Sequence, residues 1–271
     1  MSAAGQVSAV FGHSADGFVA ASLEDLAWLA IPVDAGIKIA SGWNLQGPMS
    51  SWTVGDFGGA VGIVPDETGF RQHVEEIAAH RSELRALQRV SDRRGVATPW
   101  GSAQGSEIYG EGVVFHSTAS HGGFELDRIR NAAMPHALRN PDGWYEEDAE
   151  WAKVATRFPG LFTAYERRHA EKTLRNSYPE AWEAVNGRML EPSESFEKER
   201  RQFLADHADD WIVVSAGRSD LHAGQIEVAA TLGGERGHVT VRQFLVPSGE
   251  YRVGRHGFVI DLARHVEILA A

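Results

Sequence analysis

Apolar positions recur at helical spacing most clearly in residues 66–90, where Phe70, Val74, Ile77, Leu84 and Leu87 share one face and charges occupy the other. This pattern predicts an amphipathic helix. Ahead of it, short apolar runs at 7–11, 17–21, 36–40 and 60–64 are punctuated by Gly, Asp and Pro, which predicts strands of a small mixed sheet. Residues 23–29, with Ser22 as cap, read as a short helix. The polar stretch Ser91-Asp92-Arg93-Arg94-Gly95 then predicts a boundary. It separates a small mixed α/β domain (1–90) from a second domain (96–271).

The second domain begins with a strand at 112–118, the turn Ser120-His121-Gly122-Gly123 and a helix at 125–132. Pro135 and Pro141 interrupt the chain before a helix at 143–157. Pro159 starts another, running to Arg175, and helices at 179–185 (stopped by Gly187) and 193–207 follow. From Trp211 the period changes. Residues 211–216 form a continuous apolar run, suited to a strand buried on both faces. Residues 225–232 alternate through Ile226, Val228, Ala230 and Leu232, and residues 238–246 through Val239, Val241 and Leu245. The linker 233–237 makes these two a hairpin, and 257–262 adds a strand. The expected fold is α+β: a small N-terminal α/β region, a helical segment and a C-terminal antiparallel meander.

At 271 residues, with 43% hydrophobic and 23% charged residues, the chain can bury a sizeable core and is long enough for two domains. No apolar run approaches the ~18–20 residues of a membrane span. The first residues carry neither the basic nor the apolar region of a secretory signal. A soluble, cytoplasmic protein is expected. The absence of cysteine excludes disulfides, thiolate nucleophiles and cysteine-ligated metal centres. The net charge of −11 is shared, −4 before Val96 and −7 from it onward. Such acidity opposes general binding to nucleic-acid backbones and suits a host protein with a basic surface.

Two constellations carry candidate chemistry. In His116-Ser117-Thr118-Ala119-Ser120-His121-Gly122-Gly123, a strand leading through small residues into a helix would aim backbone N–H groups at an anion or oxyanion. Ser120, Gly122 and Gly123 are thus candidate binding residues, with His121, and His116 beside it, as candidate acid–base or ligand groups. In Gly143-Trp144-Tyr145-Glu146-Glu147-Asp148-Ala149-Glu150-Trp151, helical spacing would put Trp144 and Trp151 on one face with Glu147 and Asp148 between them. Carboxylates held against indoles are suited to acid–base work or metal binding, and an exposed version suits a basic partner. His121 with Glu147 or Asp148 would supply N/O ligands for a divalent metal, whose identity the spacing does not fix. A serine-nucleophile variant would use Ser120 with a nearby histidine. His169, among Arg167, Arg168, Lys172 and Arg175, is expected to be an ordinary solvated residue.

The order of motifs Thr98-Pro99-Trp100-Gly101, Ser120-His121-Gly122-Gly123-Phe124, Trp144-Tyr145-Glu146-Glu147-Asp148, Asp210-Trp211-Ile212-Val213-Val214-Ser215 and Phe244-Leu245-Val246-Pro247-Ser248-Gly249-Glu250-Tyr251 resembles an uncharacterised domain family of proteobacterial plasmids, integrative elements and phages. The resemblance covers about residues 98–260 and transfers no activity. It implies a mobile-element setting, where small acidic proteins counteract restriction or CRISPR systems. The first functional expectation is therefore a counter-defence protein, anti-restriction or anti-CRISPR, that binds a host protein. The second is a hydrolase, metal-assisted, using His121 with Glu147 or Asp148. A sequence-specific nucleic-acid binder is disfavoured by charge.

Overall fold

Asp66 starts the longest helix by accepting a hydrogen bond from the Gly69 N–H at 2.9 Å, and Gln88 ends it in the left-handed region at φ 50°. The computed structural model describes residues 7–92 and 95–268. Before this helix, β1 (Val10–His13), β2 (Val19–Leu23), β3 (Leu26–Val33), β4 (Gly36–Trp43) and β5 (Gly59–Val64) form an antiparallel sheet in sequence order. The helix, α1 (Glu67–Leu87), lays Phe70, Val74 and Ala78 against Leu23, Trp28 and Ile39 on one face of that sheet. The other face buries Ala20, Ala27, Leu29 and Ala40 under Trp52, Leu45 and Phe57.

The expected helix at 23–29 is replaced by the β2–β3 hairpin. Glu24 turns the chain at φ 56°, and Arg81 of α1 grips Glu24 at 2.7 Å and Asp25 at 2.6 Å. Helix-forming residues there are overridden by a turn clamped from outside.

The chain divides into two compact units, Met1–Thr173 and Leu174–Ala271. The boundary expected at 91–95 falls in the sequence range of the first unit, and its residues 93 and 94 lie outside the described residues. At its start, β6 (Val90–Asp92) pairs with β9 (Gly105–Gly110), past a small ladder of β7 (Ala97–Thr98) and β8 (Gly101–Ser102). Side chains of α1 and of the approach to β6 also meet the segment near Thr163: His80 Nδ1 lies 2.8 Å from Thr163 Oγ1, and Arg89 pairs with Glu166 at 2.7 Å.

The second sheet has the order β12-β11-β10-β9-β6, adding β10 (Val113–Ser117), β11 (Gly122–Leu126) and, beyond the short helix α2 (Arg128–Ala132), β12 (Trp144–Glu146). Two expectations change here. The helix expected at 125–132 starts later, where Asp127 caps the Arg130 N–H at 2.7 Å, because Gly122–Leu126 is drawn into pairing with β10. The helix expected at 143–157 is a strand, a turn and then α3 (Trp151–Arg157). Gly143, at φ 80°, redirects the chain, and Phe124 pairs opposite Tyr145, so aromatic residues take the sheet positions they favour. The division after Thr173 falls within α4 (Ala164–Ser177), which starts beyond Pro159, the residue expected to open it.

In the second unit, α5 (Pro179–Asn186) stops at Gly187 (φ 66°), as expected, and Ser195 caps α6 (Phe196–Asp206). The sheet β13 (Trp211–Arg218), β14 (Gln225–Leu232), β15 (Val241–Pro247) and β16 (Val266–Ile268) is an antiparallel meander. Its core is Val228, Ala230, Phe244, Val246 and Ile260. Strand β13 is an edge strand whose second half is exposed, rather than one buried on both faces. The inward face of β15 is Phe244 and Val246, paired with Val228 and Ile226, and Val241 is 51% exposed, which reverses the expected alternation. Residues 257–262 contribute one bridge, Ile212 to Val259, and the fourth strand comes later. Among the described residues, no helix is long and apolar enough to cross a membrane.

Candidate metal centre

Direct pairing in the second sheet fixes which side chains share a face. Ser106, His116, Gly123 and Glu146 stand opposite one another across β9, β10, β11 and β12, and the next row holds Ile108, Val114, Glu125 and Trp144. Phe115, Phe124 and Tyr145 point the other way, with Phe124 and Tyr145 in the core.

The loop joining β10 to β11 sets His121 at the end of this face. The Thr118 N–H and hydroxyl both donate to the His121 carbonyl (2.8 and 2.7 Å), and the His121 N–H donates back to Thr118 Oγ1 at 3.2 Å. Ser120 is exposed in the loop. The expected anion cradle is corrected: Gly122 and Gly123 belong to β11, and their backbone groups serve the sheet. Both glycines are required by close approach. A Cβ on Gly122 would meet Glu147 Oε2 at 2.6 Å, and one on Gly123 would meet the Trp100 ring at 2.3 Å and the Tyr145 carbonyl at 2.4 Å. Gly123→Ala is therefore expected to expel Trp100 and cost about 1–3 kcal/mol. Tryptophan emission and urea melts read both effects, and an unshifted spectrum would refute the packing.

Three ligand-bearing groups converge here: His121, Glu146 and Glu147 each place one donor atom within 4.8 Å of the others. His121 Nδ1 lies 3.9 Å from Glu146 Oε1. That oxygen is buried and accepts no hydrogen bond, whereas Glu146 Oε2 accepts the Asp148 N–H at 2.7 Å. The Glu147 N–H donates to the Gly122 carbonyl at 3.0 Å, which holds its side chain beside that glycine. Ligands about 2.0–2.2 Å from a common ion stand at most ~4.4 Å apart, so a small rotamer change closes the set. One imidazole and two carboxylates suit a borderline divalent cation such as Zn²⁺, Mn²⁺ or Fe²⁺, with positions left for water.

Of the residues singled out by sequence, His121 and Glu147 meet and Asp148 does not join them; its side chain is exposed. Glu146 was missed. Trp144 and Trp151 do not share a helical face. Trp144 packs edge-on to Trp100 at 5.8 Å and beside His116 at 5.7 Å, while Trp151 lies against Phe162 at 6.3 Å. His116 is not a ligand but a buried group, 2% exposed, with both ring nitrogens occupied by Ser106 and Glu125. His169 is exposed, as expected, and stacks on Tyr165 at 4.3 Å.

The turn behind the cluster is built from Asn140, Glu150 and Lys153. Glu150 accepts from the Asn140 amide at 2.8 Å, from Lys153 Nζ at 2.8 Å and from the Glu146 N–H at 3.2 Å. Burial alone would raise the Glu150 carboxyl, but these hydrogen bonds, Lys153 foremost, outweigh it and hold Glu150 below its ordinary range. The contribution is complete above the ordinary carboxylate value of 4.5 and is lost as pH falls through the lower folded value.

No curated protein and no solved structure matches the chain. Residues 93–208 match the family described as a domain of unknown function, DUF7007, a span that contains the whole His121, Glu146 and Glu147 cluster.

Proposed function

We propose that the protein is a metal-assisted hydrolase whose divalent cation is held by His121, Glu146 and Glu147. The observation that carries this reading is the convergence of one imidazole and two carboxylates, brought together from the β10–β11 loop and the end of β12. The buried, unpartnered Glu146 Oε1 supports it, since such an oxygen is costly unless a cation or donor meets it. When bound, the cation would supply Lewis acidity and an activated water. The chain's role is to present three ligands while leaving the solvent side open. Such chemistry would serve counter-defence in the mobile-element setting that the motif resemblance implies.

Titration of the full chain with Zn²⁺ and Mn²⁺, read by calorimetry, tests the site. His121→Ala, Glu146→Gln and Glu147→Gln are each expected to weaken binding at least ~10-fold, the loss typical of disturbing a ligand set. Asp148→Asn is expected to bind like wild type, which separates this geometry from a general acidic patch. Failure of the wild type to bind either ion would end the reading. Protection of phage DNA in a restricting host, measured with the same variants, separates hydrolysis from simple capture of a basic host protein. Capture would survive loss of the cation.

A further inference from the structure

Ser106 and His116, of the row that ends in Glu146, join Glu125 of the next row in a second arrangement that the cation does not use. Ser106 on β9, His116 on β10 and Glu125 on β11 form a continuous hydrogen-bonded line across adjacent strands. The Ser106 hydroxyl lies 2.8 Å from His116 Nδ1, and His116 Nε2 lies 3.1 Å from Glu125 Oε2. The carboxylate can only accept, so Nε2 carries the ring proton and donates it to Glu125, which leaves a lone pair at Nδ1 facing the serine. The ring is buried, and Trp144 packs beside it while Trp100 covers neighbouring Gly123. Ser106 itself is half-buried and Glu125 is partly open to solvent. A hydroxyl in contact with a base that a third group orients is the arrangement that activates a serine nucleophile.

We propose that Ser106 is a nucleophile, His116 its general base and Glu125 a positioning residue, and that the site opens carboxylic esters with a flat, apolar acyl group. In the forward step, Oγ of Ser106 bonds to the ester carbonyl carbon while its proton passes to His116 Nδ1. The carbon–oxygen ester bond breaks, and the alcohol leaves with that proton. Water, deprotonated by the same nitrogen, then releases the acid and restores Ser106. The indoles of Trp100 and Trp144 supply the apolar surface for the acyl group. Ser120, the serine that sequence order suggests, lies in the exposed loop and no hydrogen bond joins it to either histidine.

The proposal does not depend on the cation, and its test is run in chelator so that the two fail separately. The full-length protein is incubated with a biotinylated alkyl fluorophosphonate and digested for mass spectrometry. Here Oγ–P forms, P–F breaks, fluoride leaves and His116 takes the proton. Wild type is expected to carry the adduct on Ser106, and Ser106→Ala to carry none. His116→Asn should slow labelling about a hundred-fold or more, the usual worth of a general base. Glu125→Gln should slow it about ten-fold at an unchanged melting temperature, and Glu125→Asp should recover some of the rate, which a merely structural carboxylate would not give. No adduct on Ser106 of folded wild type would overturn the proposal without recourse to any variant. An adduct only on Ser117 or Ser120, or labelling indifferent to His116→Asn in folded protein, would overturn it equally.

Discussion

Arg89→Met is expected to lower the folding free energy by about 3–5 kcal/mol, the cost of leaving a largely buried charge without its partner. The Arg89 side chain is 6% exposed and meets Glu166 through two nitrogens, at 2.9 and 2.7 Å, with a further bond of 2.9 Å to the Leu161 carbonyl. Its guanidinium also lies 3.7 Å from the centre of the Tyr109 ring. Burial pushes the Tyr109 phenol up, so that ring stays neutral and offers an uncharged face to the cation. Glu166 keeps the Thr163 N–H at 2.7 Å, which places the expected loss toward the lower end of the range. Arg89→Lys should not restore stability, because an ammonium lacks the planar fork that meets both oxygens. Urea melts of Arg89→Met, Glu166→Gln and the double variant check this, with the double variant recovering some of the loss through a positive coupling. A single-variant loss below ~1 kcal/mol would mean that the pair is solvated. The same contact joins residue 89 to residue 166 within the first compact unit.

What could be read in the sequence depended on whether the deciding contacts were local. Helix α1 was legible because Phe70 and Val74 repeat at one turn, Asp66 caps the start and no partner strand competes. Glycine-punctuated strands in the first sheet were legible for the same reason, while 23–29 was not, since the turn at Glu24 is held by arginines some sixty positions away. The candidate site shows the limit best. The two segments that supply it were visible as unusual, yet the choice of period decided which acid belongs. A helical period from Trp144 selects Glu147 and Asp148. A strand period puts Trp144 and Glu146 on one face and Tyr145 on the other. Gly143 and pairing with Phe124 settle the matter in favour of the strand. Ser106 and Glu125 could not be linked to His116 without the register of three strands, and register is a tertiary property. The inward face of β15 failed likewise, since Val239 and Val241 alternate as plausibly as Phe244 and Val246 until β14 is aligned.

Tyr145→Ala is expected to cost about 3–5 kcal/mol, because it empties a fully buried aromatic site that can collapse only incompletely. Tyr145 has 0% exposure, pairs opposite Phe124, and burial raises its phenol above the ordinary range. Its hydroxyl donates to Asn131 Oδ1 at 2.7 Å and accepts the Asn140 N–H at 3.0 Å, so it ties α2 to the turn that holds Glu150 and Lys153. Tyr145→Phe keeps the ring and strips those two groups of their partner, for an expected loss of about 1–3 kcal/mol. Cation affinity should survive Tyr145→Phe within a few-fold, because β12 is held by backbone pairing and Glu146 by the Asp148 N–H. Denaturant melts with parallel Zn²⁺ titrations read both quantities. If Tyr145→Ala melted like wild type while Trp144→Ala collapsed, the segment would be a helix with its tryptophans inward. Glu146 would then lie off the site, and the three-ligand arrangement would be wrong in its geometry rather than only in its affinity.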